Sequence, residues 1–215
     1  RRCRAQPVAP QVAAPLTVAP RVLLCRNHAS SRLTRPLVNV LLVNNGNSNA
    51  NFNTSERRFP IGPGDLSAVM KQAGHSVELC DRFADRGAWV DDVSAYDFVG
   101  VYTSTPCYED ALTVLDLLGE YDGPIAFGGP HTTAFPTTVP PRVDYVVQGE
   151  AERLIVGLVE GKFERGTMVR TQRVNDLDEL PFPDYEIFLG LAKRLGLGLF
   201  FSEGMSELDW VKRHY

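Results

Sequence analysis

Residues 37–162 predict an α/β domain built on a doubly wound, five-stranded parallel sheet. Three observations carry this. Short apolar runs of strand length recur, each is followed by a polar loop or glycine turn, and helical periodicity separates most of them. Strands that alternate with helices need crossover connections, and crossovers leave neighbouring strands parallel.

Residues 37–43 (LVNVLLV) form an apolar run closed by Asn44-Asn45-Gly46, which suits a strand buried on both faces. A long polar loop follows. The next segment places Leu66, Val69, Met70 and Ala73 on one helical face and stops at Gly74. Residues 76–79 read as the second strand and 97–102 (DFVGVY) as the third. In residues 108–119, Ala111, Val114, Leu115 and Leu118 fall at helical spacing. Residues 124–127 make a short fourth strand closed by Gly128-Gly129-Pro130, and 143–147 (VDYVV) a fifth closed by Gln148-Gly149-Glu150. A helix with Leu154, Ile155 and Leu158 inward follows. Such a series suits the flavodoxin-like order 2-1-3-4-5.

The flanks are different in kind. Residues 1–36 hold seven arginines and no acidic residue among prolines and alanines, and read as a disordered tail or transit-type segment. Subtracting those seven charges from a net −4 leaves −11 for residues 37–215. An acidic domain without a basic, aromatic-laced patch argues against nucleic acid as a partner. No apolar stretch reaches membrane-spanning length, so no membrane is expected. Cys3, Cys25, Cys80 and Cys107 lack zinc-site or redox-pair spacing and fit a reducing, cytoplasmic setting. Residues 163–189 combine a small hairpin or edge strand at 167–174 with an acidic, proline-interrupted linker (DLDELPFPDYEIF). Residues 190–215 carry helix-like pieces and no motif.

In a doubly wound sheet, ligands bind beyond the strand carboxyl ends, where the strand order reverses. Four loops lie there: 44–60, 103–107, 128–131 and 148–152. The first lacks the acidic pair of a magnesium-binding receiver, and no GxGxxG, GxxxxGK[ST] or GxSxG occurs anywhere. Kinase, dinucleotide and hydrolase chemistry therefore lack their loops. Gly128-Gly129 after a strand allows a broad, flat ligand to approach the backbone, or makes a tight turn. The hydroxyls of Thr103, Ser104 and Thr105 offer small hydrogen-bonding groups, or cap the next helix.

Taken in order, VNVLLVN, GDLSAVMKQAGHSVELCD, DFVGVYTSTPCYEDAL, GPIAFGGPHTTAFP and VDYVVQGEAE resemble the cobalamin-binding domain of cobalamin-dependent radical SAM enzymes. DLDELPFPDYEIF resembles the linker to the radical SAM barrel, so the likeness covers residues 37–188. The resemblance implies a corrinoid across the strand carboxyl ends. Gly128 and Gly129 would let it lie close to the backbone, with Pro130 and His131 beside them at a helix start. Thr103, Ser104 and Thr105 would face the lower side of the ring or its tail. Gly149 and Glu150 would border the tail pocket, and Asn44 and Asn45 would bond peripheral amides.

Two departures shape the expectation. The DxHxxG motif of methionine-synthase-like domains is absent, so cobalt would lack a histidine ligand and cobalamin would be held with its own base displaced. His75 lies at the wrong sheet edge, His28 and His214 lie in the tails, and His131 suits a packed or outer role. Residues after 188 contain no cysteine, whereas a radical SAM site needs three thiolates for its [4Fe–4S] cluster, which in turn binds S-adenosylmethionine. The expectation is a binding module separated from its barrel, the barrel standing elsewhere in cis or in trans. A nucleotide-sugar- or flavin-using enzyme shares the fold. So does a scaffold without cofactor, its pocket filled by Phe52, Phe59 or Tyr108.

Overall fold

The computed structural model describes residues 37–45, 61–82 and 89–187. The expected tails, the loop at 46–60, and with it Phe52 and Phe59, lie outside them. Six strands form one parallel sheet: β1 Asn39–Asn44, β2 Ser76–Asp81, β3 Phe98–Tyr102, β4 Ile125–Gly128, β5 Tyr145–Gln148 and β6 Thr167–Arg170. Their order is β2-β1-β3-β4-β5-β6. Four helices connect or flank them: α1 Ile61–Gln72, α2 Tyr108–Leu117, α3 Pro130–Ala134 and α4 Ile155–Val159.

β1 can stand inside the sheet, between β2 and β3, because its run of apolar residues can be buried on both sides. Val40, Leu41, Leu42 and Val43 are each at most 4% exposed. Val40 and Leu42 join Met70 of α1 and Ile155, Leu158 and Val159 of α4 in one core layer. Leu41 and Val43 point the other way, into a layer with Ala111, Val114 and Leu115 of α2, with Leu118 at the cap of that helix. Trp89, Val90, Val93 and Tyr96, on the way into β3, cover the rest of that second face. Helices on both faces make the sheet doubly wound, as the sequence predicts.

The helix ends follow from local chemistry. Gly74 after α1 takes φ +96°, a conformation glycine adopts without strain. The Arg142 guanidinium donates to the Leu115 and Gly119 carbonyl oxygens, which the last turn of α2 leaves without helical donors.

The strand count differs from the expected five. Of the hairpin or edge strand expected at 167–174, the chain forms the edge strand: residues 167–170 pair with β5 in parallel, Tyr145 opposite Thr167 and Gln148 opposite Arg170. α4 supplies the crossover that brings the chain in parallel. As an edge strand β6 keeps half its side chains outward, and Met168 is 43% exposed. The linker-like segment beyond it packs on the domain. Asp184 accepts from Ser67 Oγ at 2.6 Å and pairs with Lys71 Nζ at 2.6 Å, while its N–H donates to Gly64 O. No helix among the described residues is long and apolar enough to cross a membrane.

Candidate functional site

β1 hands over to α1 on one face of the sheet and β3 to α2 on the other. The two connections diverge at the carboxyl ends of β1 and β3, the switch point at which doubly wound sheets bind their ligands. Asn44, Asn45, Tyr102 and Thr103 meet there, with Asn44 paired to Tyr102 across the ladder.

The two asparagines have different duties. Asn44 Nδ2 donates to Asp81 Oδ1 at 2.9 Å, both residues being buried, so this amide ties β1 to β2 instead of facing outward. Asn45 Nδ2 donates to Tyr102 O at 2.6 Å, bridging β1 and β3 beyond the ladder. Its Oδ1 is buried without a hydrogen-bond partner.

Beside them runs a charged brace that sequence reading missed. Arg82, next after β2, is 5% exposed and grips Asp110 of the first turn of α2 through Nε at 3.0 Å and Nη2 at 2.8 Å. Those hydrogen bonds raise the arginine's pKa further above its ordinary value, outweighing burial. Trp89 stands 6.0 Å from the guanidinium carbon. Arg82 and Asp110 are 28 residues apart, and no local pattern announces the pair.

The loops after β3 and β4 are sewn together. Thr103 is fully buried, and its Oγ1 lies 2.9 Å from Gly128 O and 2.7 Å from Thr132 Oγ1. It acts as an internal strut between the two loops. Gly129 adopts φ +112°, ψ −175°, and a Cβ there would stand 2.6 Å from Thr103 O. Its freedom serves the protein's own backbone. Gly128 is the opposite case: a Cβ would meet only Val147 Cβ, at 3.7 Å. Ser104 caps nothing with its side chain, and Thr105 and Pro130 are exposed.

His131 is 7% exposed and stacks on Tyr108 with ring centroids 3.7 Å apart. Its Nε2 lies 3.1 Å from Thr138 Oγ1, whose proton goes to Phe135 O. Thr138 therefore accepts from Nε2–H, and Nδ1 accepts from Thr105 Oγ1 at 3.2 Å. Both ring nitrogens are committed, which leaves neither to a metal. Tyr108 is held on this ring and by Thr138 O, so it belongs to the α2 face. Gly149 takes φ +89° against Thr171, and the Glu150 carboxylate accepts from Val174 N, tying β5 to the segment after β6. Nearby, burial pushes the Glu152 and Asp65 carboxyls up, and for Glu152 the charges of Asp65 and Glu150 add to it.

The arrangement holds and orients. Among the described residues no group of three His, Cys, Asp or Glu could hold a metal ion. A groove of about 640 Å³ lies at the opposite, amino edge, lined by Asp97, Tyr121, Asp122 and Arg165 among others. Burial, then the nearby carboxylates, pushes Tyr121 up to about 12. None of the four expected loops reaches it.

A family model described as the B12 binding domain matches residues 59–159, and so supports a cobalamin-binding domain across α1 to α4. No curated protein matches, and no solved structure does.

Proposed function

We propose that this chain is a cobalamin-binding module, which holds a corrinoid over the carboxyl ends of β1, β3 and β4 and presents it to a radical SAM barrel supplied elsewhere. The match of residues 59–159 to the B12 binding domain carries the corrinoid part of the reading, because that stretch contains the loops after β3, β4 and β5, and the radical SAM partner rests on the sequence resemblance alone.

The residues fit such a group on features of this fold. A corrinoid is broad, flat and ringed with primary amides. A Cβ built on Gly128 would meet only Val147 Cβ, at 3.7 Å, so there is room beside this residue, and Asn45 offers a buried acceptor with no partner. When bound, cobalamin supplies a cobalt centre that takes up and releases a methyl group or joins radical chemistry. The protein's part is to hold it. Gly128 permits close approach, Ser104, Thr105 and Pro130 border the ring from their loop ends, and Gly149 and Glu150 bound the far side toward β6. Thr103, Gly129 and His131 keep these loops in place from beneath.

Cobalt would receive no histidine from this chain. His131 has both nitrogens engaged, His75 stands before β2 at the amino edge, and residues 46–60 contain no histidine. The base-off mode is part of the proposal for that reason. The [4Fe–4S] cluster and S-adenosylmethionine belong to the barrel, since residues 189–215 have no cysteine. A cytoplasmic setting completes the reading, in line with cysteines that lack disulfide or zinc spacing.

An absorption titration with hydroxocobalamin and methylcobalamin tests it. Saturable binding with a base-off spectrum is expected. A folded sample that binds neither refutes the module, and a base-on spectrum refutes the mode alone.

A further inference from the structure

Asn45 follows β1 at the point where the strand order reverses, and it is 4% exposed. Its Nδ2 lies 2.6 Å from Tyr102 O. A backbone carbonyl can only accept, so this contact fixes which end of the amide is nitrogen and turns Oδ1 away from β3. That oxygen has no hydrogen-bond partner, although it is buried. Buried acceptors are nearly always matched with donors, and one left over at such a switch point marks where a donor arrives from outside.

From this geometry we infer that Asn45 is a specificity-determining residue: its Oδ1 accepts an N–H from a primary amide of the ligand and discriminates against a carboxylate in the same place. The inference rests on the corrinoid reading and narrows it to corrinoids amidated at the side chain that reaches Asn45. A carboxylate oxygen brought to Oδ1 sets two acceptors against each other. Rotating the Asn45 amide to offer Nδ2 does not relieve this, because it would set Oδ1 against Tyr102 O. The reader is fixed by its own internal bond. Sites built to pair a donor reject analogues that lack it far more steeply than apolar pockets reject a missing methylene.

The test is equilibrium binding of cobalamin and of the monocarboxylic acids in which one side-chain amide at a time is hydrolysed. Absorbance is read for the wild-type chain and for Asn45→Ala. One acid is expected to bind the wild type at least about tenfold more weakly than cobalamin, with the others near parity. In Asn45→Ala that gap closes. Should Asn45→Ala lose its far-ultraviolet circular dichroism, Asn45→Ser, too short to present the same acceptor, gives the same comparison. Wild-type binding that ignores every hydrolysis, or a penalty that survives in the folded variant, overturns the assignment while corrinoid binding stands. Failure of cobalamin itself to bind overturns the corrinoid reading and this inference together.

Discussion

Alanine in place of Gly129, set beside alanine in place of Gly128, separates a glycine needed by the fold from one offered to the ligand. Gly129 holds φ +112° with ψ −175°, a region essentially reserved for glycine. Another residue there is strained by about 1–3 kcal/mol. The new Cβ also stands 2.6 Å from Thr103 O and 3.0 Å from Thr103 N. These are backbone atoms, so relief requires the β3 loop to withdraw. Withdrawal stretches the bonds from His131 N to Thr103 O, 3.1 Å, and from Thr103 N to Gly128 O, 2.7 Å. Losing both adds about 1 kcal/mol each, for a total of about 3–5 kcal/mol. At about 2–4 °C per kcal/mol for a chain of this size, Gly129→Ala melts about 6–20 °C below wild type. Gly128→Ala meets only Val147 Cβ at 3.7 Å, an ordinary contact. Its midpoint stays within about 2 °C, but its methyl stands on the backbone proposed to face the corrinoid and weakens binding about tenfold or more. Thermal melts by circular dichroism and the hydroxocobalamin titration read the two effects separately. A Gly129→Ala protein that melts with the wild type refutes the strain argument. Unaltered affinity in Gly128→Ala refutes the ligand clearance.

Three further outcomes follow from the same contacts. Thr103→Val strips Gly128 O, Thr132 Oγ1 and Thr132 N of a buried partner, so its urea midpoint falls by the equivalent of about 2–3 kcal/mol; an unchanged midpoint would mean the strut is idle. Asp184→Ala releases Ser67, Lys71 and the segment leading to residue 187, which then yields to limited proteolysis at protease levels the wild type resists; identical digestion patterns would count against the docking. Glu152 has its folded-state pKa raised above 4.5 by burial first and by Asp65 and Glu150 next, so the folded state holds more protons than the unfolded one and stability falls as pH rises through the window above 4.5. Glu152→Gln therefore raises the urea midpoint at pH 7 and converges with the wild type below about pH 4; equal midpoints at pH 7 would refute the desolvation argument.

What the sequence made legible was whatever local pattern encodes. The β1 run, the spacing of Ala111, Val114, Leu115 and Leu118, and the turn after β4 carry period and punctuation, and these set the doubly wound sheet. β6 was legible only as one of two alternatives, hairpin or edge strand, because an edge strand needs only one half-buried face and so leaves no apolar run. The Arg82–Asp110 brace and the Asp184 latch escaped for another reason: each joins residues far apart in sequence, and only the folded sheet brings them together. The docked linker shows the limit of composition, since proline and acidity describe the segment 175–187 correctly yet say nothing of Asp184 finding Ser67 and Lys71.

The sequence located candidate loops by the strand ends but could not divide their polar residues between fold and ligand, and the reason is physical. A polar residue after a strand has two possible customers, the neighbouring loop and the ligand, and residue type does not tell them apart. Thr103, His131 and Glu150 spend their hydrogen bonds on the protein, as does the Asn44 amide nitrogen, and Gly129 spends its freedom there too. What is not committed in this way is little: the buried, unpartnered Asn45 oxygen and the room beside Gly128. This division preorganises the loops after β3, β4 and β5, because they are tied by bonds that exist before any ligand arrives, and ordering them costs binding little. It also makes the two classes experimentally separable. Substitution of a strut acts through stability and changes affinity only as the loops loosen, whereas substitution at an uncommitted position alters affinity on an intact fold. A corrinoid held this way draws its binding mainly from the broad surface it covers, with the uncommitted Asn45 oxygen deciding which corrinoid it is.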